Sequence, residues 1–203
     1  MPRPHRRVAV EPARRELLVF TEGALTEETY LTYWHRRFRG SVNVEIHEFH
    51  GTPAALVKRA AETKTASERA ERKGRGRAHD EVWCVFDVDE HPQLHEAIKL
   101  AKSKDIYLAV SNPCIELWFV LHFAEQTGYI SRQEAQAKAN AHLRCGKSLD
   151  QDALHLLATR LLTAKARAEH LDAKHAGDGT RAPGNPSSGV WRIVDAIARP
   201  VRP

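Results

Sequence analysis

The sequence is poor in cysteine and has no long hydrophobic run. Its three cysteines, Cys84, Cys114 and Cys145, form no C-x-x-C pair, which argues against a disulfide framework or a zinc knuckle and favours reduced thiols. Each apolar stretch is far shorter than the ~20 residues that cross a bilayer, and the N-terminal segment MPRPHRRVAVEPARR contains no apolar run of the signal-sequence type. We therefore expect a cytoplasmic protein that does not enter a membrane.

The sequence also contains no G-x-x-x-x-G-K-[ST] string, the loop with which many ATP-binding proteins hold phosphates. Any control by ATP is then expected from a separate ATPase. What is present is typical of a globular protein, since 42% of the 203 residues are hydrophobic and 28% are charged. A chain of this length can bury a core without disulfide or metal, so we predict a single domain over residues 1–203.

Four short segments have the apolar pattern of β-strands. Residues 16–20 (ELLVF) and 81–87 (EVWCVFD) are continuous apolar runs, typical of strands buried on both faces. Residues 42–49 (VNVEIHEF) alternate between apolar and polar, which predicts a strand near a sheet edge, and residues 106–110 (IYLAV) form the fourth strand. A helical pattern follows each of them. Because such crossovers are right-handed, we predict an α/β fold with a mainly parallel four-stranded sheet and helices on both faces.

Caps and prolines indicate where the later helices begin. Asn112 and Pro113 are expected to cap and start a very apolar fourth helix. Ser148 resembles the start of a capping box that opens one long helix. The apolar stripe of that helix is Leu154, Leu157, Ala158, Leu161, Leu162, Ala168 and Leu171. We predict a core over residues 15–125 and a C-terminal helical cap over residues 126–203, with a separate helical subdomain as the alternative.

Acidic residues follow two strands of the predicted sheet. Glu22 comes directly after the first strand, and Asp87 and Asp89 close the third. In a parallel α/β sheet, ligands bind beyond the carboxyl ends of the strands, near the point where the strand order reverses. If the two strands are neighbours, ~4.8 Å apart, the three carboxylates converge on one point. Carboxylate oxygens are preferred ligands of hard cations, so the pattern predicts a Mg²⁺ or Mn²⁺ site at this edge.

A structural interpretation of the same acids stays open. Asp89 could cap the helix that follows it, Glu22 could belong to a solvated turn, and Asp87 could end its strand without a further role. Further residues are candidates for contact with the ligands of the metal or with the substrate. These candidates are Glu90, His91, Asn112 and Glu116. Each of them also has an ordinary role, as a surface residue or a helix cap.

A basic segment follows the second helical pattern. Cationic side chains that lie along a phosphate backbone gain affinity by releasing counterions, and the net charge of +5 agrees with a polyanionic partner. The candidates for contact with nucleic acid are Lys58, Arg59, Arg72, Lys73, Arg75 and Arg77. The alternative is a solvated helix end that runs into a flexible loop, with Glu62, Glu68 and Glu71 offsetting the positive charge.

Four strings in this order carry a resemblance to a known family. They are VFTEGALTEETYL, VWCVFDVDEHP, AVSNPCIELWFVLHF and GNPSSGVWRIVDAI. Together they resemble the RloB-like family, which is found beside restriction and antiviral ATPase genes in prokaryotes. That family resembles the Toprim fold, whose pattern is a Glu after the first strand and an Asp-x-Asp at the end of the third. Glu22 matches the first element, and Asp87 and Asp89 match the second.

The resemblance implies metal-dependent phosphodiester chemistry. In Toprim nucleases and topoisomerases the matching acids bind magnesium, and the glutamate is also assigned to proton transfer. The leading hypothesis is therefore a Mg²⁺-dependent nuclease of prokaryotic antiviral or restriction-linked defence that acts on DNA or RNA with a separate ATPase, and in which Glu22, Asp87 and Asp89 are catalytic. The alternative hypothesis is a non-catalytic subunit that binds nucleic acid or an ATPase through a Toprim-shaped domain.

Overall fold

A computed structural model describes residues 14–88, 93–144, 148–179 and 183–200. Within these ranges, strands and helices alternate over the first part of the chain and helices predominate after it. The strands are Arg15–Thr21 (β1), Val42–Ile46 (β2), Glu81–Asp87 (β3), Tyr107–Asn112 (β4) and Ser187–Ser188 (β5). The helices are Thr26–Phe38 (α1), Pro53–Arg72 (α2), Leu94–Ser103 (α3), Ile115–Leu121 (α4), Arg132–Leu143 (α5), Gln151–Thr159 (α6), Leu161–Gly177 (α7) and Val190–Ala198 (α8). None of these helices combines the length and apolarity that a bilayer requires.

The strands form one mixed sheet in the order β2-β1-β3-β4-β5. Strands β1 to β4 are parallel, whereas β5 pairs antiparallel with the end of β4, Ser188 opposite Ser111 and Ser187 opposite Asn112. The described sheet therefore has five strands, and the prediction of four was wrong. Two serines carry no apolar periodicity that would identify a strand. The expected positions of β3 in the centre and β2 at an edge are confirmed.

Alternating residues of the strands divide the core into two layers. Trp83 and Val85 of β3 face a large cluster that contains side chains of α1 and of the helices from α4 onwards. Cys84 and Phe86 face a smaller cluster formed with α2 and α3. Such alternation follows from the two-residue period of a strand whose faces are both covered. The C-terminal helices thus complete the hydrophobic layer on one face of the sheet.

The predicted long C-terminal helix is divided in two. Asp150, and not Ser148, is the N-cap of α6, where its carboxylate accepts a hydrogen bond from the Ala153 amide at 2.8 Å. Asp and Ser are comparable as N-caps, so the sequence did not separate them. A break at Arg160 then separates α6 from α7. It leaves Leu162 80% exposed, so this residue does not belong to the buried stripe.

Helix α4 begins later than expected. Its N-cap is Cys114, and Asn112 is still the last residue of β4 because the strand is extended by its pairing with β5. The Asn112 side chain donates a hydrogen bond to the Pro183 carbonyl at 2.9 Å instead of capping the helix. The prediction of Asn112 as a cap was therefore wrong. The pairing that overrides it comes from a segment 75 residues further along, which local sequence patterns do not reveal.

Candidate acid cluster at the carboxyl edge of the sheet

Glu22 and Asp87 lie side by side at the carboxyl ends of β1 and β3. The two strands are neighbours, and the Glu22 amide continues their pairing by donating to the Val85 carbonyl at 3.0 Å. The Glu22 side chain then turns toward β3, where its Oε2 accepts a hydrogen bond from the Asp87 amide at 3.0 Å. The predicted proximity of Glu22 and Asp87 is thus present, and it follows from parallel strands that end together.

Asp87 is a buried carboxylate with a cationic partner. The residue is 8% exposed, and the Arg132 guanidinium, in the first turn of α5, lies 3.3 Å from its Oδ2. Burial raises the pKa of Asp87 well above its usual value, and the charge of Glu27 raises it further, whereas Arg132 lowers it. The sequence patterns did not identify Arg132. An arginine just after an N-cap serine carries no local signal of a partner 45 residues away.

Glu27 is a second buried carboxylate that the sequence patterns did not identify. It lies in the first turn of α1 and is 8% exposed. Its carboxylate packs directly over Gly23, where an added Cβ would lie 2.5 Å from Oε2, so a larger residue at position 23 would displace it. Burial raises the pKa of Glu27, and the charges of Glu116 and Glu22 add to this effect. The position of Glu27 in the sequence could have identified it. A helix that follows β1 starts at the carboxyl edge of the sheet, so its first turn lies near the ends of β1 and β3.

Glu116 belongs to the same cluster. It lies in the first turn of α4, and its charge raises the pKa values of Asp87 and Glu27. It also acts on Cys114, whose pKa is raised above the usual thiol range, first by burial and then by the charge and hydrogen bond of Glu116. Cys114 is therefore held as a thiol, which is not nucleophilic. The prediction that Glu116 could point at the site agrees with this position.

His50 adds an imidazole to the border of the cluster. Its Nδ1 lies 3.0 Å from the carbonyl oxygen of Thr21, the residue before Glu22. Its Nε2 lies 3.4 Å from Oε1 of Glu28 on α1. The sequence patterns did not identify His50, because the loop after β2 has no motif that relates it to β1.

The cluster brings four carboxylates and one guanidinium together among the described residues. The carboxylates are those of Glu22, Glu27, Asp87 and Glu116, and the guanidinium is that of Arg132. A surplus of oxygen ligands and negative charge in a partly buried place fits a hard divalent cation. In the described ranges, however, no group of three or more His, Cys, Asp or Glu side chains has the geometry to hold a metal ion. The predicted site residues Asp89, Glu90 and His91 lie outside the described residues.

The predicted basic segment extends along α2 from one edge of the sheet to the other. Helix α2 has 20 residues, which is ~30 Å. Lys58 and Arg59 are exposed in its first half, which begins at the carboxyl edge. Arg72, Lys73, Arg75 and Arg77 are exposed at the other end, where Arg77 donates to the Arg14 carbonyl at 3.1 Å, just before β1. The six cations therefore do not form one patch, and the last four are about a helix length from Asp87.

A comparison with protein families identifies the chain. The family model described as RloB-like protein matches residues 17–197, which includes both the acid cluster and the strand β5 that closes the sheet. The chain therefore belongs to the RloB-like protein family. No curated protein matches the chain significantly, and neither does any solved structure.

Proposed function

We propose that this chain is a metal-dependent nuclease of prokaryotic antiviral or restriction-linked defence that requires Mg²⁺ or Mn²⁺ and acts with a separate ATPase. One observation carries the proposal: the Glu22 carboxylate accepts a hydrogen bond from the Asp87 amide where two neighbouring parallel strands end. This edge is where α/β sheets bind their ligands. The resemblance to the Toprim pattern supports the same function, because it assigns metal binding to these two positions and to Asp89.

The residues of the cluster have separable roles in such a reaction. Glu22 and Asp87, with Asp89, would hold a divalent cation, which supplies charge stabilisation and a more acidic water. Arg132 can bind a phosphate oxygen, since its guanidinium offers several donors and reaches the Asp87 carboxylate. Glu27, with its raised pKa, is suited to retain a proton beside the reacting group. In the alternative arrangement, Glu22 would serve as the general base instead of a metal ligand, because its carboxylate is held at the strand end by the Asp87 amide.

The second candidate is a non-catalytic subunit that binds nucleic acid or an ATPase. The Arg132–Asp87 ion pair favours it, because a guanidinium on Asp87 already balances part of the charge that a cation would balance. In this case the Asp87–Arg132 pair connects β3 with α5, and the acids have no chemical role. The two candidates differ in whether the cluster binds a divalent cation.

The test is cleavage by the purified protein of DNA, RNA and tRNA in Mg²⁺ or Mn²⁺, with and without an ATPase encoded nearby. Asp87→Asn keeps the shape of the side chain and removes its charge, so we expect cleavage to fall by on the order of 100-fold or more. Asp178→Asn, an exposed change at the end of α7, is the matched control and should cleave normally. Equal cleavage by Asp87→Asn would remove the cluster from the mechanism.

Calorimetric titration with Mn²⁺ separates the two candidates. The nuclease proposal requires that the wild-type protein binds Mn²⁺ and that Asp87→Asn binds it more weakly. Salt-sensitive binding of DNA or RNA without any binding of Mn²⁺ would favour the non-catalytic subunit.

A further inference from the structure

Two exposed hydrophobic side chains lie close in sequence to residues of the acid cluster. In the described residues, the large hydrophobic side chains that are exposed are Leu25, Tyr107, Tyr129 and Leu162. Leu25 is the residue before α1, and Tyr129 lies three residues before Arg132. Tyr107, by contrast, already stacks on Trp83 at a centroid distance of 4.9 Å. Single exposed hydrophobic residues are common, so the surroundings of Tyr129 decide whether it has a role.

The backbone after Tyr129 is fixed to the sheet edge. The Ile130 amide donates to Oδ1 of Asn185 at 3.0 Å, and Nδ2 of Asn185 donates to the Ile130 carbonyl at 2.9 Å. Asn185 lies two residues after Pro183, whose carbonyl accepts from Asn112 at the end of β4. Arg132 then contacts Asp87. Three residues span at most ~11 Å, so the backbone of Tyr129 lies near that of Arg132.

The backbone before Tyr129 is also held. The Gln126 side chain donates to the Gly128 carbonyl at 2.8 Å. The Lys174 ammonium donates to the Thr127 carbonyl at 2.7 Å, and the Lys138 ammonium donates to Oε1 of Gln126 at 2.7 Å. The loop is therefore ordered from both sides, although the side chain of Tyr129 is 78% exposed. We call Tyr129, Lys138 and Lys174 the tyrosine platform.

The two lysines give the platform a positive charge. Both residues are exposed, and each ammonium has three donors, of which the loop takes one. An exposed ring on a loop that two cations help to hold is suited to unpaired nucleic acid, because a base can stack on the ring and the phosphates can contact the cations. A base in a duplex does not offer its face for stacking unless it leaves the helix.

We infer that the tyrosine platform binds an unpaired nucleic-acid strand beside the acid cluster, with one base stacked on Tyr129. The inference deepens the proposed nuclease function and rests on it for the identity of the substrate. It names the substrate as single-stranded DNA or RNA, or an unpaired loop or end of either. A strand held there would lie near Arg132, which follows Tyr129 by three residues and whose guanidinium is 3.3 Å from Asp87.

The test is fluorescence anisotropy with fluorescein-labelled 20-nucleotide oligo(dT), oligo(rU) and a duplex of equal length. Binding is measured in EDTA and in Ca²⁺ so that Mg²⁺-dependent cleavage does not interfere. We expect the wild-type protein to prefer single strands and Tyr129→Ala to bind them roughly 5- to 150-fold more weakly, the effect of one base stack. Tyr129→Phe, which keeps the ring, should bind like the wild type. Leu162→Ala, an equally exposed change on α7, is the matched control and should also bind normally.

Two further measurements report on stacking and charge directly. The fluorescence of 2-aminopurine in the oligonucleotide should be quenched by the wild-type protein and by Tyr129→Phe, but not by Tyr129→Ala. Replacing Lys138 and Lys174 by Ala should lower the slope of log affinity against log salt by about 0.7 for each phosphate that the protein then leaves unneutralised.

Several results would overturn the inference. They are the absence of single-strand binding by the wild type, equal binding by Tyr129→Ala, and a loss of ATPase binding in Tyr129→Ala while oligonucleotide binding is retained. The last result would assign Tyr129 to a protein interface. Because binding is measured without cleavage, the inference can stand when Asp87→Asn shows that the nuclease proposal is wrong, and it can fail when that proposal is right.

Discussion

The amino and carboxyl edges of the sheet differ in the charged groups that they bring together. At the amino edge, the Glu81 carboxylate at the start of β3 accepts hydrogen bonds from Arg15 at 3.2 Å, from Arg199 at 3.4 Å and from the Trp83 indole at 2.9 Å. At the carboxyl edge, Asp87 at the other end of the same strand lies among three further carboxylates and one guanidinium. One strand thus joins a region of opposite charges to a region of like charges.

This difference indicates that the two edges have different roles. The opposite charges at Glu81 hold β1, β3 and the end of α8 together, so they contribute to stability. Burial, and after it the like charges around Asp87, raise the pKa values of Asp87 and Glu27, which costs free energy of folding in their ionised forms. Proteins retain such unfavourable groups where they bind or react. The carboxyl edge is therefore the place to look for function.

The largest expected effect on stability is at the amino edge. Glu81→Ala leaves the largely buried guanidinium of Arg15, which is 16% exposed, without its carboxylate partner. We expect a loss of about 3 kcal/mol in the free energy of unfolding, or ~6–12 °C in Tm. Glu62→Ala, which removes an exposed partner of Arg59 on α2, should change stability by less than about 1 kcal/mol. Urea denaturation measures both, and equal effects would contradict the distinction between the edges.

The second expected effect is a loss of folding stability in acid. It arises from a histidine in the core behind the carboxyl edge. His122 is 1% exposed, and burial lowers its pKa to about 4, with the charges of Arg160 and Arg167 contributing. Its Nδ1 lies 2.8 Å from the Trp118 carbonyl, while Nε2 has no partner among the described residues. Between pH 6.5 and 4 the unfolded state therefore binds more protons than the folded state, so stability falls as the pH falls.

The size of this effect is about 1.4 kcal/mol per pH unit within that window, or on the order of 3 kcal/mol in total. His122→Gln should lose this dependence, whereas His95→Gln, an exposed change on α3, should keep it. Chemical denaturation from pH 7 to pH 4 gives the comparison. The raised pKa of Glu27 has the opposite sign, because there the folded state binds the proton more tightly than the unfolded state and acid stabilises it. Identical pH profiles for wild type and His122→Gln would show that His122 does not contribute to the loss of stability in acid.

The smallest effect is a gain in stability at the carboxyl edge. Glu27→Gln removes a buried negative charge next to Glu22 and Glu116, and the amide resembles the protonated acid. We expect about 1 kcal/mol of added stability at pH 8, with a smaller gain at a lower pH such as 5, because the raised pKa makes Glu27 gain a proton earlier than a free glutamate as the pH falls. Glu28→Gln is the matched control, because this neighbour is more exposed and pairs with His50. Thermal denaturation at both pH values measures the effect. A lower Tm for Glu27→Gln than for the wild type would contradict the comparison between the two edges.

Much of the fold could be predicted because its strands carry their own signal. The run EVWCVFD coincides with β3, and the alternation of VNVEIHEF identified an edge strand, although β2 ends at Ile46. The proximity of Glu22 and Asp87 followed from the rule that parallel strands end together, and the pairing of β1 with β3 bears it out. These predictions succeeded because each depended on residues adjacent in sequence or on one general rule of sheet topology.

Other parts of the site were missed because they depend on distant partners. Glu27 is an ordinary first-turn acid in the sequence, and its burial beside Asp87 comes from the packing of α1 on the sheet. Arg132 is brought to Asp87 by α5, which packs against α4. The basic segment was predicted to contact nucleic acid, and the length of α2 separates Arg72 and its neighbours from Lys58 and Arg59. None of these relations has a signature within one local window of sequence.

The amino-acid sequence by itself determined that β1 to β4 exist and that Glu22 and Asp87 lie at the carboxyl ends of two of them, because apolar runs and the polar residues that end them are local properties. The tertiary structure alone decided that Glu27, Glu116 and Arg132 join this pair, that β5 extends β4, and that Tyr129 stands exposed on a fixed loop. The physical reason is that charge, burial and hydrogen bonding depend on distances in space, and those distances are set by the packing of helices that are far apart in the chain.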